Sequence, residues 1–210
     1  MHAEWLTIRL IKLTTTNMTD NFRKLNIHFD AAALRDAYEF AITNIGFSGD
    51  LVNCISVTST DIEDIEQRGV FWTKNDEYEE IQVEKLVNEH AYNIFVPVLM
   101  NTYLKNVYDT LSKHYKLGRV RILKLDSRTC LSYHRDPENR LHIPIITNPG
   151  AMMIVNDESF HMKADGSVYY MNTTDYHTAL NGGDSPRIHL VATILDESNE
   201  EELYEVYGGD

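Results

Sequence analysis

Cysteine is almost absent from this chain of 210 residues, which contains only Cys54 and Cys130. The two lie far apart and do not form the closely spaced pairs that bind structural zinc, so zinc ribbons and disulfide scaffolds are excluded. Reduced thiols are typical of the cytoplasm, where we expect this protein to be located. Since a free cysteine usually behaves as a small hydrophobe, we expect Cys130 to be buried.

Long apolar runs are absent too. None approaches the roughly 18 to 20 residues that a helix needs to cross a bilayer, so we expect no membrane span. The N-terminal stretch MHAEWLTIRLIKLTTTNMTD has a short apolar run, without a basic segment before it or a small-residue cleavage site after it. We therefore predict a non-secreted protein in which residues 1–22 are a flexible leader, with Met18 as an alternative start.

Basic residues are few. The 19 lysines and arginines are outnumbered by 32 aspartates and glutamates, which gives a net charge of -13. Binding of nucleic acid irrespective of its sequence requires a basic surface, so we expect no nucleic-acid partner. The C-terminal stretch DESNEEELYEVYGGD contains seven acidic residues and no basic one. We predict that residues 197–210 form a solvated acidic tail.

The first part of the chain, residues 23–117, has mixed and partly helical patterns. Asp30 follows the strand-like segment LNIHF and is placed to cap a helix. Apolar residues at helical spacing predict a second helix over residues 102–115. Between them, residues 59–80 are polar and acidic, which favours a loop or a lid.

Residues 118–196 predict a β-barrel. They contain the strand-like segments RVRILKL, RLHIPIIT, AMMIVND, SFHMK, VYYMN and RIHLVATIL, separated by Gly, Asn, Asp and Pro. Many short strands without intervening helices are typical of a sandwich or a jelly-roll barrel. We therefore predict a single domain, residues 1–210, of α+β class and mainly β: a jelly-roll barrel preceded by and packed with N-terminal helices.

Within the barrel, His134 and Asp136 have the spacing that projects both side chains to the same side of an extended segment. An imidazole and a carboxylate, completed by a second histidine, form the two-histidine-one-carboxylate face that binds non-haem Fe(II). The pair His134 and Asp136 alone is weak support for a metal site, because His28 and Asp30 have the same spacing. We interpret that second pair as a strand end and a helix cap.

Further site-type residues accompany His134. Arg140 and His142 share one face of a strand, Arg187 and His189 share one face of another, and His177 precedes the latter in a turn. The alternative to a pocket is that these polar strand faces are simply exposed to solvent. A cationic pocket beside a metal suits a dicarboxylate such as 2-oxoglutarate, with one end on the iron and the other paired with Arg187.

Two segments, GRVRILKLDSRTCLSYHRDPENRLHIPIITNPGAMMIVND and GSVYYMNTTDYHTALNGGDSPRIHLV, resemble the aspartyl/asparaginyl β-hydroxylase family of Fe(II)- and 2-oxoglutarate-dependent dioxygenases. The resemblance spans residues 118–195 and implies a double-stranded β-helix, which is a cupin-like barrel. It implies iron ligation by His134, Asp136 and His177. The pocket residues that it implies are Arg140, His142 and Arg187 for 2-oxoglutarate and Asn181 for the shape of the pocket.

The resemblance further implies an enzyme that hydroxylates a free amino acid or a peptide or protein substrate with O2, and that converts 2-oxoglutarate to succinate and CO2. Two alternatives stay open: a cupin-like hydrolase or isomerase that uses a metal-bound water, and a non-catalytic barrel that binds a small anion. His189 is a further candidate for the pocket. Trp72 is another, with packing in the core or in a lid as its alternative.

Overall fold

A computed structural model describes residues 19–48, 53–60, 71–83 and 88–196 of the chain. Most of the predicted leader and all of the predicted acidic tail lie outside these residues. The described residues form two α-helices, α1 (Ala31–Asn44) and α2 (Tyr103–Leu111), and fifteen strands. The strands are β1 (Phe22–His28), β2 (Asn53–Ser56), β3 (Thr58–Ser59), β4 (Phe71–Lys74), β5 (Glu80–Val83), β6 (Ile94–Phe95), β7 (Lys116–Leu125), β8 (Thr129–Cys130), β9 (His134–Arg135), β10 (Arg140–Ile146), β11 (Ala151–Val155), β12 (Glu158–Phe160), β13 (Ser167–Met171), β14 (His177–Asn181) and β15 (Arg187–Asp196).

Two antiparallel sheets make up the barrel. The major sheet has six strands in the order β1-β13-β10-β15-β7-β2. The minor sheet has the order β12-β11-β14-β9-β4-β5, with β8 also paired to β14, and β3 and β6 form a separate ribbon. This architecture confirms the predicted class, a mainly β jelly roll of the double-stranded β-helix type with N-terminal helices. Because β1 and β2 belong to the major sheet, the chain before residue 118 supplies strands as well as helices.

The helices cover the outer face of the major sheet. Helix α1 begins after Asp30, whose Oδ1 accepts hydrogen bonds from the backbone N–H groups of Ala32 and Ala33 at 2.8 and 3.1 Å, as predicted for an N-cap. Helix α2 ends at Leu111, earlier than the predicted residue 115. The chain continues there in hydrogen-bonded turns until β7 begins. No helix within the described residues is long and apolar enough to cross a membrane.

Strand alternation divides the major sheet into an apolar outer face and a polar inner face. On β10, Leu141, Ile143 and Ile145 belong to the apolar core that the helices share. Since successive side chains point to opposite faces, Arg140 and His142 point into the barrel. The same alternation on β15 places Ile188, Leu190, Ala192 and Ile194 in the core and leaves the inner face to Arg187 and His189.

The expected loop or lid over residues 59–80 is wrong for its second half, where the structure forms a hairpin. Strands β4 and β5 pair with each other, and β4 also pairs with β9. Between the two strands, Oδ1 of Asn75 accepts hydrogen bonds from the N–H groups of Glu77 and Glu79, which stabilises the turn. The polar composition suggested a loop because the hairpin is largely exposed. Residues 61–70 lie outside the described part of the chain.

Candidate metal centre and anion pocket

The side chains of His134, Asp136 and His177 meet at one point inside the barrel. Strands β9 and β14 are paired directly at His134 and His177, and the two imidazole rings lie 4.4 Å apart between centroids. Oδ2 of Asp136 lies 4.0 Å from Nε2 of His134 and 3.4 Å from Nε2 of His177. One ligand atom from each residue falls within 4.8 Å of the others, which is a separation that a single metal ion can bridge.

Backbone carbonyls orient both imidazoles. Nδ1 of His134 lies 2.7 Å from the carbonyl oxygen of Ser132, and Nδ1 of His177 lies 2.9 Å from that of Asp175. Because a carbonyl oxygen can only accept, each Nδ1 carries the proton and each Nε2 presents its lone pair to the centre. His177 is the first residue of β14, so the expectation that it lies in a turn is wrong. The short segment HTALN lacks a clear strand pattern, and its pairing with β11 makes it extended.

The charges at this centre also fit a divalent cation. Burial by itself raises the pKa of Asp136, but the charge of Arg140, 2.6 Å away, outweighs burial and holds that pKa well below its usual range. Burial lowers the pKa of His134, and the neighbouring His177 lowers it further. An ionised carboxylate beside neutral imidazole is the donor set that non-haem Fe(II) takes in a two-histidine-one-carboxylate site.

A second cluster lies deeper on the inner face of the major sheet. Nη2 of Arg187 lies 3.1 Å from Nδ1 of His189, which in turn lies 3.4 Å from Nδ1 of His142. Since guanidinium only donates, Nδ1 of His189 is the acceptor and its proton resides on Nε2. Burial, followed by the charge of Arg187, places the pKa of both histidines well below the usual value, so both are neutral. Burial lowers the pKa of Arg187 to about 10, which leaves it cationic at neutral pH.

These side chains retain unused hydrogen-bonding capacity. In Arg140 and the three residues of the second cluster, four buried nitrogens have no hydrogen-bond partner among the described residues: Nε of Arg140, Nε2 of His142, Nε of Arg187 and Nε2 of His189. Buried polar atoms are normally satisfied, so a row of unsatisfied nitrogens indicates a site that receives a ligand. With two arginines in the row, that ligand is expected to be an anion.

Two further arginines on the inner face were not recognised from the sequence. Arg119 and Arg121 lie on β7, and Arg121 pairs across from Val191, which in turn pairs with His142. Arg119 makes a buried ion pair with Glu89, with 2.6 Å between Nε and Oε1. Burial, with the charges of neighbouring arginines, lowers the pKa of Arg121 to about 9. The alternation of arginine with apolar residues in RVRIL could have predicted this position, because it places both arginines on the face of β7 opposite to the one that the helices cover.

The aromatic residue beside the metal site is Phe71 and not Trp72. The Phe71 ring packs edge-on against His134, with 5.4 Å between centroids. Trp72 pairs with Arg135 across the strands, and the guanidinium of Arg135 lies 4.2 Å from the ring centroid. The expectation that Trp72 lines the pocket is therefore corrected: adjacent strand residues point to opposite faces, and Trp72 points away from His134.

Asn181 is buried at the end of β14 and connects three segments of backbone. Its Nδ2 donates to the carbonyl oxygens of Leu125, Asp126 and Ser185 at 3.2, 3.0 and 2.9 Å. The bond to Ser185 fixes the turn that leads into Arg187. Asn181 thus acts on the pocket through the backbone, which is compatible with its predicted part in pocket shape. Cys130, in contrast, is exposed on β8, so its expected burial is wrong.

A jelly-roll barrel with two histidines and one carboxylate at one point of its interior has the architecture of the Fe(II)- and 2-oxoglutarate-dependent oxygenases. The sequence pattern of the aspartyl/asparaginyl β-hydroxylase family matches residues 85–196, more than half of the chain, and the chain belongs to this family. The resemblance inferred from the sequence is thereby confirmed. Family membership makes the protein a 2-oxoglutarate-dependent oxygenase, which is an oxidoreductase. No curated protein matches the chain.

Two solved structures are similar to this chain. An oxidoreductase of the 2OG-Fe(II) oxygenase family from Burkholderia pseudomallei is 13% identical with a TM-score of 0.51, over 82% of this chain and 84% of that one, and at this identity the likeness concerns the fold alone. The viral collagen prolyl hydroxylase of Paramecium bursaria Chlorella virus-1 is 10% identical with a TM-score of 0.45, over 83% of this chain and 95% of that one.

Proposed function

We propose that this protein is a cytoplasmic dioxygenase that hydroxylates a free amino acid or a peptidyl side chain, with Fe(II) held by His134, Asp136 and His177. The observation that carries the proposal is the contact of Arg140 with a candidate ligand, 2.6 Å from Nη2 to Oδ2 of Asp136, together with the unsatisfied nitrogens of Arg140 and of His142 on the same face of β10. A metal-dependent hydrolase or isomerase needs the metal ligands but has no need of buried arginines next to them.

Each residue has a defined task in this proposal. His134, Asp136 and His177 hold the metal, and the carbonyl-bound Nδ1 atoms keep both imidazoles in the tautomer that can coordinate it. Bound Fe(II) supplies the oxidative chemistry that couples conversion of 2-oxoglutarate to succinate and CO2 with hydroxylation of the substrate by O2.

The arginines bind the cosubstrate in this proposal. Arg187 is buried and cationic, and it can pair with a carboxylate through two parallel hydrogen bonds. Arg140 and His142 are on the neighbouring strand, where they can receive the carboxylate end nearer to the metal. The buried side chains of Leu125 and Tyr169, the cross-strand partners of Arg187 and His142, exclude water, so these charges interact strongly with their ligand.

The test is an anaerobic titration of the purified protein with Fe(II) and 2-oxoglutarate, in which the visible metal-to-ligand charge-transfer band is recorded. We expect the band in the wild type and its loss in His177→Ala, while the exposed His90→Ala behaves like the wild type. Iron binding without the band would refute 2-oxoglutarate chelation and would favour the hydrolase or isomerase. Succinate formation with amino acids and short acidic peptides then identifies the substrate class.

A further inference from the structure

A small network of charged and aromatic side chains lies on the outer face of the minor sheet, behind the candidate metal ligands. Its centre is Glu80 on β5. Nε and Nη2 of Arg135 donate to the two carboxylate oxygens of Glu80 at 2.9 and 2.7 Å, and the hydroxyl of Tyr176 donates to Oε2 at 2.8 Å. Three hydrogen bonds, two of them in the bidentate arginine geometry, therefore converge on one carboxylate.

The two donors are the chain neighbours of the two candidate histidine ligands. Arg135 directly follows His134, and Tyr176 directly precedes His177. Because successive residues of an extended chain point to opposite faces, the histidines point inward where their neighbours point outward. Glu80 thus holds, from behind, the two segments of backbone that carry the imidazoles.

Strand pairing of β9 is limited within the described residues. This strand has only two residues, and its pairing with β14 consists of the single His134 and His177 register position. On its other side β9 pairs with β4 through Trp72 and Thr73. A strand this short has little ladder of its own, so side-chain bonds contribute a large share of what holds it in place.

Two aromatic rings flank the network. The guanidinium of Arg135 lies over the Trp72 ring at 4.2 Å, and Nζ of Lys74 lies 5.1 Å from the centroid of Tyr176. The hydrogen bonds from Arg135 and Tyr176 lower the pKa of Glu80 to about 2, so the carboxylate is ionised throughout the neutral range.

We propose that Glu80 is a positioning residue that sets the separation of the two histidine-bearing segments and thereby the metal affinity of the site. The inference rests on the proposed metal site of His134, Asp136 and His177 and deepens it. Outer residues that orient metal ligands commonly alter metal affinity 10- to 100-fold when they are replaced. A carboxylate that merely anchored the β4–β5 hairpin would alter the stability of the hairpin and leave the affinity unchanged.

The experiment measures the dissociation constant of Co(II), followed through its d–d absorption bands, in wild type, Glu80→Gln and Glu77→Gln. Glu77 is an exposed glutamate in the turn of the same hairpin, so its replacement matches the charge change without touching the network. We expect Glu80→Gln to weaken Co(II) binding about tenfold and to change the band intensities, while Glu77→Gln stays close to the wild type. Tyr176→Phe removes one hydroxyl and is expected to show a smaller shift in the same direction.

Two further comparisons decide the outcome. In an Arg135→Met background, the additional change Glu80→Gln is expected to alter affinity less than it does in the wild type, because the main partner of Glu80 is already absent and only the bond from Tyr176 remains. Unchanged Co(II) affinity in Glu80→Gln, with a lowered unfolding midpoint, would overturn this inference and leave the proposed function intact. Failure of the wild type to bind Co(II) would overturn the metal site itself and with it the proposed function.

Discussion

Replacement of Arg187 by methionine tests the cosubstrate pocket most directly. Arg187 is buried, with 4% of its surface exposed, and its Nε has no hydrogen-bond partner among the described residues. Methionine has a similar length and no charge, and exchange of a buried charged group for an apolar one of similar volume is often neutral for stability. The variant is therefore expected to fold.

The expected loss concerns 2-oxoglutarate. Removing one member of a buried, hydrogen-bonded charge pair costs about 2 to 5 kcal/mol of binding free energy. At about 1.4 kcal/mol for each factor of ten, the dissociation constant should rise between about 30-fold and several thousand-fold. Metal affinity should change little, because the hydrogen-bonding neighbour of Arg187 is His189 and not a candidate ligand.

The assay is anaerobic isothermal titration of 2-oxoglutarate into protein loaded with Mn(II), which avoids turnover. Arg128→Met provides the matched control, since Arg128 is an exposed arginine whose ion pair with Asp184 is solvated and contributes little. A dissociation constant in Arg187→Met close to that of the Arg128→Met control would refute the assignment of the inner arginines to the cosubstrate.

Three other predictions concern stability and pH. Glu89→Gln should lower the free energy of unfolding by about 3 to 5 kcal/mol in urea titrations, because it leaves the buried Arg119 without its counter-charge. His142 and His189 are neutral in the fold, so the unfolded state gains protons below about pH 6.5 and stability should fall as the pH decreases from there, by about 1.4 kcal/mol per pH unit for each histidine. Asn181→Ala should cost about 1 to 3 kcal/mol of unfolding free energy and weaken 2-oxoglutarate binding.

Each of these predictions has its own control. The double variant Glu89→Met/Arg119→Met should be less destabilised than Glu89→Gln, and equal destabilisation would contradict the ion-pair argument. The fall in unfolding free energy with decreasing pH should become smaller when His142 and His189 are replaced by glutamine. It should persist in His90→Gln, which replaces an exposed histidine. For Asn181→Ala, the free energy of unfolding and the affinity for 2-oxoglutarate are both measured. Lost stability with unchanged affinity would mean that Asn181 stabilises the fold and has no effect on the pocket.

The sequence alone determined which residues share a face. His134 with Asp136, Arg140 with His142, and Arg187 with His189 are each two residues apart, and the period of a strand then places each pair on one side. The same local alternation, with turn residues between the segments, was sufficient for the jelly-roll class. These inferences were possible because they depend only on neighbours along the chain.

Tertiary structure decided how distant segments meet. The pairing of β9 with β14 brings His177 opposite His134, although the sequence around His177 suggested a turn. The pairing of β4 with β5 forms a hairpin where the composition predicted a loop or a lid, and the pairing of β4 with β9 places Phe71 beside the metal site. The link between Glu80 and the neighbours of both histidines depends on the same pairings. Such contacts arise from hydrogen bonds and packing between strands that are far apart in the chain, and local patterns do not record them.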